Sequence, residues 1–186
     1  MQQKIRNVAI VRSGAYVKEV SEGEAHYLQV NNFNREKNRF LLLKPTLELD
    51  SKTENHLLMD GDIVFAAKGT SNFGIVFREE MGKVVASSSF LVIRIVDRTL
   101  VAPDYLCWVL NREDTLAYFK ANAIGTSIPS ISKALIDEYT ISIPPMHIQS
   151  KVVAISQLQQ REQQLYKNIL SLRNKLIQKQ LIEITK

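Results

Sequence analysis

Asp60 and Asp62 flank a glycine and Lys68 follows, so the first chemistry to weigh is a Mg²⁺ site of the kind found in nucleases. A second acid is needed shortly before the lysine, and Ala66 stands in that place. Asp60-Gly61 is better read as a tight turn. Glu79 and Glu80 give one further carboxylate pair, again without a third ligand in pattern. His26, His56 and His147 are too far apart in sequence to suggest a metal centre. No glycine-rich phosphate loop, His-Glu-x-x-His or Cys-x-x-Cys occurs, so no residue set announces a metal, a nucleophile or a cofactor.

What remains is hydrogen-bonding chemistry on loops. Asn31, Asn32, Asn34, Arg35, Lys37 and Arg39 crowd one polar, basic segment whose single apolar residue is Phe33. Lys68, Thr70, Ser71 and Asn72 form a second cluster, and Thr126 with Ser127 a third. Amides, guanidinium groups and hydroxyls can donate to phosphates and base edges, which is one reading of all three loops. Plain solvated surface is the other.

Elements that hold these loops follow from apolar periodicity. Residues 5–12 read as a β-branched strand ending at Ser13-Gly14, and 27–30 as a short strand. Residues 62–67 and 73–77 are two apolar runs separated by five polar residues, glycine among them, which is a hairpin pattern with Lys68 to Asn72 at its tip. Residues 84–96 supply further strand, interrupted in character by three serines. Pro103 opens a helix that runs to about Lys120, with Cys107 and Trp108 in its packing. A short helix from Ser132, a strand over 139–143 and Pro144-Pro145 follow.

Residues 148–184 contain neither glycine nor proline and repeat apolar residues at helical spacing. With Ile155, Ile169 and Leu176 at heptad position a, Leu158, Leu165 and Leu172 fall at d. A helix of roughly 50 Å with so narrow a seam needs a partner, so the sequence predicts a homodimer or a second protein along it. From residue 151 onward seven Lys or Arg face two acids, a balance of +5 that equals the net charge of the whole chain. The basic helix is either a solvated coiled-coil face or a surface for nucleic acid or an acidic protein.

Composition, with 45% hydrophobic and 23% charged residues among 186, suits one globular domain over 1–145 and a helix over 146–186. The expected class is α+β, with a curved, mostly antiparallel sheet. One cysteine excludes a disulfide framework, the N-terminus lacks an apolar signal core, and no run is long enough to span a membrane. A cytoplasmic location is the expectation.

The order of these features resembles one half of a specificity (S) subunit of a type I restriction-modification system. The carrying residues are the early strand with Ser13-Gly14, Tyr27-Leu-Gln-Val30, and Asp60-Gly-Asp-Ile-Val-Phe65. The strongest match is Gly125-Thr-Ser-Ile-Pro-Ser-Ile-Ser-Lys-Ala-Leu-Ile136, followed by Ile141-Ser-Ile-Pro-Pro145 and Gln149. The family commonly has Glu-Gln before the helix, where this chain reads Ile148-Gln149. Its usual member also carries two recognition domains and two long helices, and this chain carries one of each. The resemblance implies recognition of a half-site in double-stranded DNA, with the helix as antiparallel spacer and binding surface for the methyltransferase (M) subunit. S-adenosylmethionine, ATP and Mg²⁺ chemistry would belong to the M and restriction (R) subunits, leaving this chain non-catalytic and without a cofactor. Two other classes compete. One is a coiled-coil protein-interaction module that does not bind DNA, and the other an endonuclease or methyltransferase in its own right.

Overall fold

The computed structural model describes residues 1–34, 39–41, 44–125 and 127–185, with the backbone alone for Arg39 and Lys52. Strands run in the order β1 (Gln2–Lys4), β2 (Ala9–Ser13), β3 (His26–Leu28), β4 (Phe33–Asn34), β5 (Arg39–Phe40), β6 (Ile63–Ala66), β7 (Gly74–Val76), β8 (Val84–Ala86), β9 (Phe90–Ile95) and β10 (Thr140–Ser142). Helices are α1 (Ser51–Glu54), α2 (Pro103–Leu110), α3 (Glu113–Ala121), α4 (Lys133–Glu138) and α5 (Met146–Ile184). The fold is α+β. Two units are distinguishable, Met1–Ser150 and Lys151–Lys186.

In the first unit the central sheet is antiparallel in the order β2-β9-β6-β7. Side chains alternate across it with period two. Val64, Ala66, Phe90 and Val92 point to one face, where they pack against Leu28, Phe40, Leu58, Phe77, Val84 and Ala86. Phe65 points to the other and meets the edge of Phe119 in α3, with ring centres 5.9 Å apart. Burying both faces explains why β6 and β9 are nearly continuous apolar runs. Three two-stranded pieces flank this sheet: β1 with β10, β4 with β5, both antiparallel, and β3 with β8, which is parallel.

Three readings of the sequence need correction. The strand expected over 5–12 begins only at Ala9: Ile5–Asn7 form a 3-10 turn, which carries the chain from β1, paired with β10, to β2, paired with β9. Buried Ile5 anchors that switch, its N–H donating to Tyr139 O at 3.0 Å. The strand over 84–96 is likewise two, β8 and β9, which belong to different sheets. Gly14 lies against the join: a Cβ there would sit 2.1 Å from Ser87 O, so no other residue fits this approach of two backbones. Finally, the helix expected from Pro103 to Lys120 breaks after Leu110. Asn111 leaves it to clasp β7, accepting from Gly74 N–H and donating to Gly74 O, both at 2.8 Å. Apolar spacing continued across the break because α2 and α3 both contribute to the same core.

Helix α5 starts at Met146, directly after Pro144-Pro145. Pro145 O accepts from Ile148 N–H and Gln149 N–H. In the second unit Ile155, Leu158, Leu165, Ile169, Leu172 and Leu176 are each 53–68% exposed, so the predicted seam is uncovered in the single chain. No described helix is long and apolar enough to cross a membrane.

Candidate nucleic-acid interface

The tip of the β6–β7 hairpin is braced from inside. Asn72 is buried, and its side-chain amide donates to Ala66 O at 3.0 Å and to Gly69 O at 3.5 Å. Ala67 and Lys68 N–H both donate to Ser89 O. With the tip held this way Lys68 and Thr70 are exposed and Ser71 is half-buried. Asn72, grouped with these three by sequence, shapes the loop that displays them.

The loop before α4 is built against that tip. Ile124 and Ser130 exchange both backbone hydrogen bonds, at 3.0 and 2.8 Å, closing a small hairpin around Gly125. Gly125 has φ +106°, and a Cβ there would meet Ile128 O at 2.8 Å, so the turn requires glycine. Lys68 pairs with Ser130 in a β-bridge, Gly69 N–H donates to Pro129 O at 2.9 Å, and Ile131 N–H donates to Ala67 O at 2.9 Å. Ser127 is exposed at the top of this loop, and Ser132 Oγ caps α4 by accepting from Leu135 N–H. Thr126 lies outside the described residues.

The loop at 29–34 packs against Phe73, where the chain leaves the tip for β7. Gln29 N–H donates to Asn32 Oδ1 at 2.7 Å and Asn32 N–H to Gln29 O at 3.0 Å, which fixes a 3-10 turn at Val30–Asn32. Phe33, next in the chain, stacks on Phe73 with ring centres 4.1 Å apart and 20° between planes, and takes Phe40 edge-on. Asn31 is exposed, and Asn32 and Asn34 are half-buried. Arg35 and Lys37 lie outside the described residues, and Arg39 is described by its backbone, in β5. Among the described residues, the segment at 29–34 thus packs against the β6–β7 hairpin, and the loop before α4 pairs with its tip. Phe33 meets the hairpin at Phe73, and the Lys68–Ser130 bridge joins the tip to the loop before α4.

The acidic pair weighed for metal chemistry is used differently. Asp62 is fully buried and receives Arg94 Nε at 2.7 Å and Nη2 at 2.6 Å, with Met59 N–H at 2.9 Å. This two-pronged hydrogen bond raises the Arg94 guanidinium above its ordinary pKa. Arg12 lies 3.9 Å from the same carboxylate and also donates to Asn55 O and Leu57 O, tying the segment after α1 to the sheet. Asp60 sits in the turn beside Arg98. Among the described residues no group of three or more His, Cys, Asp or Glu side chains could hold a metal ion. Burial pushes the Cys107 thiol up to about 12.

Sequence reasoning missed the roles of Arg94, Phe33 and Gln149. Phe33 had a signal, as the lone apolar residue of a polar loop. Gln149 is completely buried: its Oε1 accepts from Ala102 N–H at 2.9 Å, and its Nε2 donates to Leu100 O at 2.9 Å and Pro144 O at 2.8 Å. The family resemblance singles out Gln149, but nothing in its neighbours tells that its side chain is buried and ties the first turn of α5 to the domain.

Residues 6–184 match the family described as Type I restriction modification DNA specificity domain. No curated protein matches the chain. Among solved structures, the HsdS subunit from Thermoanaerobacter tengcongensis aligns with TM-score 0.64 at 16% identity, covering 90% of this chain and 44% of that one. The type I restriction-modification S subunit from M. genitalium aligns with TM-score 0.59 at 14% identity, covering 85% and 38%. A third, from work on complex assembly and conformational transition of the type I R-M system, gives TM-score 0.50 at 16% identity, covering 91% and 43%. These likenesses are of fold, and the chain spans about two fifths of each structure.

Proposed function

The chain belongs to the family of type I restriction-modification DNA specificity domains, and we propose that its first unit reads one half-site of double-stranded DNA through the three adjoining loops. What supports this reading is the pairing of the hairpin tip with the loop before α4, on which Lys68, Thr70 and Ser127 are exposed, and the packing of the loop that bears exposed Asn31 against the same hairpin. Side chains that donate hydrogen bonds to phosphates and base edges are thereby held on a fixed scaffold. The chain performs no methyl transfer or cleavage itself in this proposal. It directs an M subunit, and through it an R subunit, to the site.

The second unit supplies the pairing. Its seam from Ile155 to Leu176 fits a second copy of the same helix, and antiparallel pairing gives a two-fold dimer with one recognition domain attached to each end of the helix pair. Purified protein should be retained on duplex DNA with affinity that falls steeply as salt rises, because Lys and Arg contacts to phosphates release counterions. Dimers with no affinity for duplex at low salt would favour the protein-interaction reading instead.

A further inference from the structure

Between the hairpin tip and the loop before α4 lies a pocket of about 330 Å³. Ala123, Pro129 and Ile131 line it with apolar surface, and the amide of Asn72 is turned to the backbone of its own loop. Thr70 and Lys120 are the exposed polar residues of the lining, and no acidic residue belongs to it. Lys120 has no ion-pair partner among the described residues. An unpaired ammonium with three donors, beside a hydroxyl and in a lining without a carboxylate to neutralise it, is suited to a phosphate oxygen.

We propose that Lys120 grips a backbone phosphate of the duplex at the mouth of this pocket, which it shares with Thr70. This rests on the DNA-recognition reading and adds to it a residue of the opposite kind from Lys68. A phosphate contact positions the duplex and carries no sequence information, whereas a base-edge contact specifies. Lys120 also lies in the last turn of α3, where a positive charge complements the helix dipole without any ligand. The test must therefore separate a phosphate contact from a helix-end charge.

Full-length wild type, Lys120→Gln and Lys120→Arg are titrated onto a short mixed-sequence duplex over a fourfold rise in salt. Each neutralised phosphate contributes about 0.9 to the logarithmic salt slope. Lys120→Gln should accordingly lose about 3.5-fold less affinity across that range than wild type, and Lys120→Arg should keep the wild-type slope. In cells with the M partner, Lys120→Gln should leave the methylated sequence unchanged, and Lys68→Ala should change it or abolish methylation. A Lys120→Gln protein with the wild-type slope, or with an altered methylated sequence, overturns the proposal while DNA recognition stands. A wild type that shows no salt-dependent binding overturns both.

Discussion

Gln149 ties three stretches of chain together with one buried amide: the approach to α2, Pro144 and the first turn of α5. Replacing it with Leu keeps much of its volume and removes all three hydrogen bonds, leaving Ala102 N–H and the Leu100 and Pro144 carbonyls without their partner. At about 1–3 kcal/mol for a buried group left unsatisfied, the expected loss is on the order of 3 kcal/mol. Urea denaturation of Gln149→Leu checks this, and a variant within about 0.5 kcal/mol of wild type would contradict it. Asp62 and Arg94 show the same limit of residue-by-residue reading. Asp60-Gly61 was legible as a turn because turn chemistry is local, but the ion pair joins residues 32 positions apart and depends on how β6 and β9 pair.

At the scale of elements, what could be read was whatever periodicity encodes. The β6–β7 hairpin, the short helix expected from Ser132 and the long helix all lie close to their expected residues, since each follows from local sequence spacing. The 3-10 turn that opens residues 5–12 and the division of 84–96 were illegible because sheet membership is decided by partners elsewhere in the chain. The break after Leu110 was hidden for a related reason, that Asn111 caps one helix by bonding a strand 37 residues away. Of the candidate interface, the sequence yielded the three loops as candidates, and the Phe33–Phe73 stack and the Lys68–Ser130 bridge came only with the fold. Helix α5 carries the element-scale prediction. Leu165→Asp with Leu172→Asp places charge at two successive d positions of the exposed seam, and the double variant should sediment as a monomer while wild type sediments as a dimer. A double variant that remains a dimer would remove this helix as the interface.

For the whole molecule, helix length and symmetry set the form of the target. At 1.5 Å per residue the 39-residue α5 is roughly 58 Å long. Antiparallel pairing of two such helices would attach recognition domains at opposite ends, farther apart than one duplex turn of about 34 Å. Two half-sites with an unread spacer between them are then expected. Because both chains are identical and related by a two-fold axis, the half-sites should be inverted repeats of each other. Sequencing of methylated bases in cells carrying this chain, its M partner and no other specificity chain tests this most directly. The account predicts a bipartite motif with inverted-repeat halves, and a continuous motif, or a bipartite one with unrelated halves, would contradict it.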